Sequence, residues 1–235
     1  MTLTEVLERS IIRAGLTETS AGDLNTARIY ANSVIQDIAS RATWWWLFKE
    51  GTITTVASTR AYALATDVLT PLSFRDTSNN QTLSIKSSDD MDAIDPDQSE
   101  ANDPQWVVLT GADATTGAPQ VDLHPTPSTS SDTIKYRYFK YIPEWTTAND
   151  SQDLFTIHGI PILLHQALYN GIAALIQVEM GDDSGAGINR SEMERIIRQA
   201  LAVNGRMSGN GRTRMTRQRD NAFKFDFTIQ EGSLT

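Results

Sequence analysis

Apolar residues recur at helical spacing toward both ends of the chain and at strand spacing between them. Leu3, Val6, Leu7 and Ile11 fall on one stripe and predict a short helix over residues 4–14, with Gly15 as its stop. Residues 20–23 offer polar capping groups ahead of a second helix over 24–39. There Leu24, Ala27, Ala31, Val34, Ile35 and Ile38 repeat with a helical period. That helix runs into Trp44, Trp45, Trp46, Leu47 and Phe48.

The period then shortens. Seven segments, 52–57, 60–64, 68–74, 82–86, 105–111, 120–124 and 133–141, are short and rich in Thr, Val, Ile and aromatic residues. Clusters of Ser, Asn, Asp, Gly and Pro separate them, so they are expected to be strands. The clearest is the last, where Ile134, Tyr136 and Tyr138 share one face. Residues 89–103 hold seven acids and no base, with Pro96 inside and Pro104 after them, and are expected to form a solvated loop.

Helical periodicity returns over 160–180, with Ile160, Leu163, Leu164, Ala167, Leu168, Ile172, Leu175 and Ile176. No charge precedes Glu179, so this helix is expected to be buried on most sides. Residues 181–187 look like a turn. Ser191 with Glu194 has the spacing of a capping box, opening a helix over 192–203 with Ile196, Ile197, Ala200 and Leu201 inward. Residues 205–219 are mostly Gly, Ser, Asn and Arg and are expected to form a mobile linker. After them Phe223, Phe225, Phe227 and Ile229 alternate strictly, as in a strand that adds itself to another sheet or groove.

The expected fold class is α+β. Residues 1–50 and 154–204 form a small helical bundle, 51–153 form a β-rich insertion, and 205–235 form an extended basic linker and docking strand. The helices at the two ends must meet, because neither pair completes a core alone.

Composition narrows the class. With 235 residues and 40% hydrophobic content the chain can bury a real core. It has no Cys, which removes disulfides, thiolate nucleophiles and Cys-ligated zinc. The longest apolar stretch, 157–178, is interrupted by His158, Gly159, Pro161, His165, Gln166, Asn170, Gly171 and Gln177, unlike a membrane span. The first ten residues are acidic and amphipathic, unlike a signal peptide, and a soluble intracellular protein is expected. Net charge is −9, unevenly spread: residues 51–153 carry six bases and fifteen acids, whereas 206–235 carry six bases and three acids. An acidic body does not track duplex phosphates, and an acidic body with a basic tail points to an acidic protein partner.

Candidate chemistry is sparse. His124, His158 and His165 lack the spacing of helical metal ligands; the last two, seven apart on one expected helix, are assigned capping or packing roles. Asp89, Asp90, Asp92, Asp95 and Asp97 lack the central Gly and terminal Glu of an EF-hand. Glu179, Asp182 and Asp183 could form an acid pair, unfavourable at a helix C-terminus, though a plain exposed turn is the simpler expectation. The Gly-rich segments contain no Walker Lys and no dinucleotide fingerprint, and no nucleophile elbow is present. No enzyme and no cofactor is expected. Trp44, Trp45 and Trp46 point in different directions; one or two belong in the core and the remainder is a candidate subunit or partner interface. Arg206, Arg212, Arg214, Arg217 and Arg219 read best as a protein-docking segment, ahead of nucleic-acid binding or an inert linker, because the Phe-rich strand follows them.

The order of these features resembles the head-to-tail adaptor proteins of tailed bacteriophages, particularly the short-tailed kind. The run comprises helix 24–39, Trp44 to Trp46, a first strand at 52–56, and Tyr62-Ala-Leu64-Ala65-Thr66-Asp67-Val68. The last is similar to the family's Tyr-x-Leu-Pro-x-Asp pattern, with Ala65 in place of its Pro. Val121-x-Leu123-x-Pro125-x-Pro127, the aromatic strand 136–141 with Pro143 after it, and the apolar helix 160–176 follow. The similarity covers residues 1–204 in order. It implies a structural virion protein at the head–tail junction, assembled in the host cytoplasm. Such adaptors form a ring, commonly of about twelve copies, joined to the portal protein above and to a tail nozzle or tail hub below. DNA passes through without specific binding and no membrane is involved. In the resemblance the helical part builds the ring, the β insertion faces outward or toward tail components, and the C-terminal extension reaches the portal. It makes Arg206, Arg212, Arg214, Arg217, Arg219, Phe223, Phe225, Phe227 and Ile229 the portal-docking tail.

Two other classes fit the residues less well. A tail component that binds or degrades cell wall would stack exposed Trp and Tyr on sugars and need a carboxylate pair, best supplied by Glu144 with Asp150 or Asp153. A host-encoded oligomeric scaffold would have no phage role.

Overall fold

The structure, a computed structural model, describes residues 1–17, 20–97 and 99–207. The chain is α+β, with helices toward both ends and a sheet between them. It divides into two compact units. Among the described residues, one contains Met1–Val34, Ser151–Phe155 and residues 160–207; the other contains Ile35–Asp150 and Thr156–Gly159.

The first unit is helical. Helix α1 (Leu3–Arg13) opens with a capping box between Thr2 and Glu5 and buries Leu3, Val6, Leu7 and Ile11, the stripe expected from the sequence. It ends at Gly15, whose positive φ of 96° lets the Gly15 and Leu16 N–H groups return to the carbonyls of Ile12 and Ile11. The Met1 ammonium lies 2.6 Å from the Asp153 carboxylate. Helix α2 (Ala21–Ser40) contributes Ala27, Ala31 and Val34 to this core. Helix α5 (Ile162–Glu179) is covered nearly all round: Leu164, Ala167, Leu168, Ile172, Ala173, Ala174 and Ile176 are buried, together with the polar His165, Asn170 and Gln177. Helix α6 (Asp183–Met207) presents Ala186, Met193, Ile196, Ile197 and Ala200 inward. The C-terminal helices therefore pack on the N-terminal ones.

Helix α6 is longer than its hydrophobic period suggests. Residues 181–187 were expected to turn, but the helix already begins at Asp183. Asp182 caps it, its Oδ1 accepting the Gly185 N–H at 2.9 Å. Ser191 and Glu194 thus lie inside the helix and are not a capping box; the Ser191 hydroxyl donates to the Ile188 carbonyl at 2.8 Å. At the other end Gly205 and Arg206 are helical, while the remainder of the expected linker and the alternating strand lie outside the described residues.

In the second unit all seven expected strands are present as β1 (Phe48–Thr54), β2 (Ala61–Ala63), β3 (Val68–Asp76), β4 (Gln81–Lys86), β6 (Trp106–Ala112), β7 (Pro119–His124) and β9 (Thr133–Lys140). They form one sheet in the order β1-β9-β3-β4-β6-β7-β2. Every pairing is antiparallel except β4 with β6. The connection between those two strands was expected to be a solvated loop. It contains instead a capped helix, α3 (Ser88–Ile94), and the short strand β5 (Ala101–Asn102), which pairs with β8 (Thr126–Pro127). Parallel neighbours need such a crossover.

One face of the sheet closes over Ile53, Leu64, Val68, Phe74, Leu83, Val107, Val121, Leu123, Ile134, Tyr136 and Tyr138. The side chains of β9 dominate it, because β9 lies between β1 and β3 and its aromatic face points inward. Tyr136 stacks between Phe74 and Tyr138 with centroid separations of 5.8 and 5.5 Å. Its ring lies over Gly51, where any Cβ would collide with it.

Gly171 gives the first unit a sharp packing test. A Cβ there would lie 2.6 Å from Met193 Sδ and 2.7 Å from Val34 Cγ1, so α5 passes the facing helices at glycine distance. Gly171→Val is expected to destabilise the chain by about 1–3 kcal/mol through overpacking, read as a lower denaturation midpoint with the sheet's near-UV aromatic signal retained below it.

Candidate interaction surfaces

The residues of the Tyr62–Val68 pattern are engaged inside the sheet unit. The Tyr62 hydroxyl donates to the Thr59 carbonyl at 2.9 Å and accepts the Val56 N–H at 2.9 Å. Leu64 enters the core, and the Ala65 N–H donates to the Tyr136 hydroxyl at 2.8 Å. Asp67 accepts the Tyr138 hydroxyl at 2.8 Å and the Lys49 ammonium at 2.9 Å. Burial alone would raise the Asp67 carboxyl, but the hydrogen bonds from Lys49 and Tyr138 outweigh it and hold the group below its usual range. Tyr138 is pushed up, first by burial and then by the adjacent carboxylate. This motif therefore staples the β2–β3 turn to β9. The Pro position, here Ala65, supplies an N–H that Pro lacks, and that N–H is used.

The three tryptophans divide. Trp44 is buried and its indole N–H donates to the Ile38 carbonyl at 2.7 Å. Trp46 is buried beside it, with centroids 6.4 Å apart. Trp45 remains 38% exposed, so it alone of the three offers substantial surface to a partner.

The outer face of the β1–β9–β3 part of the sheet is mixed aromatic and charged. Phe48 is exposed and meets Phe139 edge-on at 6.3 Å. Two register shifts in β3 accompany exposed Leu69 and Leu72. Glu50 faces Arg75, Arg137 and Lys135 at 3.1, 3.4 and 3.5 Å, one acid among three bases. Desolvation pulls its carboxyl upward, and the Arg137, Arg75 and Lys135 charges overcome this and hold it below its usual value. Sequence reasoning missed this cluster, although strand alternation places Glu50 directly opposite Arg137.

The helical unit leaves Ile12, Ile29, Ile162 and Ile188 each at least 60% exposed. It also has an open hollow of about 230 Å³ lined by Ile11, Leu16, Asp23, Thr26, Ile176, Glu179 and Met180. Glu179 accepts the Tyr30 hydroxyl at 2.8 Å, while Asp182 caps α6 and Asp183 sits in that helix's first turn. Asp182 and Asp183 thus sit at a favourable helix start, while Glu179 closes α5 and is engaged by Tyr30. Arg206 is exposed in the last turn of α6; Arg212, Arg214, Arg217, Arg219, Phe223, Phe225, Phe227 and Ile229 lie outside the described residues.

The histidines are not on one helix as expected. His158 ends α4 (Leu154–His158), and Gly159 with a positive φ and Pro161 separate it from α5, which carries His165. Burial pushes both imidazoles below their ordinary value, and His165 Nε2–H donates to the Ile160 carbonyl at 3.0 Å. The acidic segment is not wholly solvated: Asp95 is buried, accepts the Ser99 and Glu100 N–H groups, and lies 3.8 Å from His124 Nε2. Among the described residues no group of three or more His, Asp or Glu is placed to hold a metal, and no helix is long and apolar enough to cross a membrane.

Asp67 gives the staple a pH signature. Its depressed pKa means the carboxylate's contribution is present above the ordinary Asp value of about 4 and is lost as pH falls through the folded pKa. Asp67→Asn is expected to lower stability at neutral pH by roughly 1–2 kcal/mol and to flatten the loss of stability below about pH 4, both measured by urea denaturation across pH.

No curated protein matches the chain. A family model described as SU10 adaptor protein matches residues 1–219. With that match running through both units and beyond the end of α6, the chain belongs to the SU10 adaptor proteins, a phage head–tail adaptor family.

Proposed function

We propose that this chain is a structural component of the virion that assembles as a ring beneath the portal, joins it to the tail and continues the DNA channel. The family match over residues 1–219 carries this proposal. The surfaces support it. Four isoleucines of the helical unit are at least 60% exposed, apolar surface that contact with neighbouring molecules would cover. The net charge of −9 suits a conduit through which phosphates slide without being held.

In this proposal copies number about twelve, as cyclic closure permits. The helical unit builds the ring, and the sheet unit, with Trp45 and Phe48 exposed, faces tail components such as a nozzle or hub. Arg206, Arg212, Arg214, Arg217 and Arg219 pair with portal acids, and the alternating segment from Phe223 to Ile229 adds a strand or fills a groove there. Ordering such a segment on binding has an entropic cost and makes attachment depend on the portal being present.

A cell-wall-degrading role has no specific support. Asp153, one candidate carboxylate, is occupied by the Met1 ammonium at 2.6 Å and by the Phe155 N–H at 3.0 Å.

Deleting residues 208–235 tests the tail without cutting α6. The truncated chain is expected to keep the melting behaviour of the full chain but to add no ring of density to portal rings in electron micrographs. Full occupancy of the portal by the truncated chain would remove the tail from the attachment mechanism.

A further inference from the structure

The positive charge toward the C-terminus begins well before the tail. Helix α6 carries Arg190, Arg195, Arg198 and Arg206, all exposed, and after Asp183 in its first turn only two acids, Glu192 and Glu194. Its buried residues Ala186, Met193, Ile197, Ala200 and Asn204 set one face of the helix. At 100° per residue, Ile188, Arg195, Arg198 and Arg206 lie on the opposite side. Arg195 is paired with Glu192 at 2.6 Å. Among the described residues Arg190, Arg198 and Arg206 have no carboxylate within ion-pair distance. Ile188, at 65% exposure, adds an apolar contact to this basic face.

The sheet unit holds the complement. The crossover between β4 and β6 has seven acids and no base over residues 89–103. Two of them are used internally: Asp90 caps α3, and Asp95 is buried. Asp89, Asp92, Glu100 and Asp103 have no cation within ion-pair distance among the described residues. Ile94 at the end of α3 is 47% exposed, an apolar counterpart beside the acids.

A head-to-tail ring needs two different, mutually complementary surfaces on each copy. We propose that the arginine face of α6 in one copy docks on the acidic α3 crossover of the next, with Ile188 and Ile94 in the contact and the charges around them. The contact rests on the ring proposed above and gives it a direction: each copy offers a basic helix to one neighbour and an acidic crossover to the other. Apolar centre and charged surround are the usual arrangement of such a patch, and opposite potentials set register and exclude like-to-like pairing.

Charge reversal in the full chain tests it. One variant carries Arg195→Glu and Arg198→Glu, both on the face opposite the buried stripe; a second carries Asp89→Lys and Asp92→Lys. Arg206 and the tail are left intact so that portal docking is preserved. Each variant alone is expected to need roughly tenfold or more protein than the wild type to complete a ring on the portal. In an equimolar mixture every contact between alternating variants regains opposite charges, so ring completion is expected to return toward the wild-type concentration. Ring completion by either variant alone at the wild-type concentration overturns the contact. So does a mixture that performs no better than its components, or loss of DNA retention with rings intact, which would assign the arginines to DNA instead. Folding of each variant is checked by circular dichroism. If one unfolds, Arg198→Gln and Asp92→Asn are scored the same way, with a rise in the protein needed expected for each and no rise overturning the contact. A wild type that adds no ring to the portal would sink the proposed function as a whole; intact wild-type rings with unaffected variants sink only this interface.

Discussion

Helix α5 has no charged residue before Glu179, and this forces the layout of the helical unit. Such a helix cannot leave a broad stripe in water, so it must be sheathed by other helices. The sheath comes from α1, from the first part of α2 and from α6, with Gly171 admitting the closest approach. One end of the sheath thus comes from the start of the chain and the other from beyond the sheet. Everything between Ile35 and Asp150 is accordingly an excursion from a helical unit that later resumes.

Elements whose identity rests on local periodicity were legible in the sequence. The seven strands are short, β-branched and aromatic segments bounded by turn residues, and in β9 the inward face of Ile134, Tyr136 and Tyr138 follows from alternation. The stripe of α1 and its Gly15 stop were legible for the same reason. Misreadings arose where a helix is set by capping or by distant contacts. The start of α6 contains Gly185 and Gly187, which count against helix, yet Asp182 caps it and Ala186 is buried. Helix α3 has only Met91 buried and shows no period, and it depends on the reciprocal Ser87–Asp90 cap. His158 and His165 were separated by the break at Gly159 and Pro161, which a continuous apolar run concealed.

The surface clusters were less legible still. Tyr62, Leu64 and Asp67 stood out as a family-like pattern, but their partners Lys49, Tyr136 and Tyr138 lie on other strands. The Glu50 cluster likewise joins β1, β9 and β3. Sequence reasoning identified that one or two of the tryptophans would be buried; which of them are buried follows from the short turn between α2 and β1, where Trp44 reaches back to Ile38.

The parallel pairing of β4 with β6 has a consequence for how the crossover can vary. Its two ends, Lys86 and Trp106, are anchored in neighbouring strands, and Asp95 fixes its middle through the Ser99 and Glu100 amides. Length changes within residues 87–105 therefore pull directly on strand register, whereas the outward carboxylates can be exchanged without moving the backbone. Divergence in this segment should accordingly proceed by substitution of charge rather than by insertion or loss of residues, leaving a hairpin-free arch of constant span whose polarity is open to change.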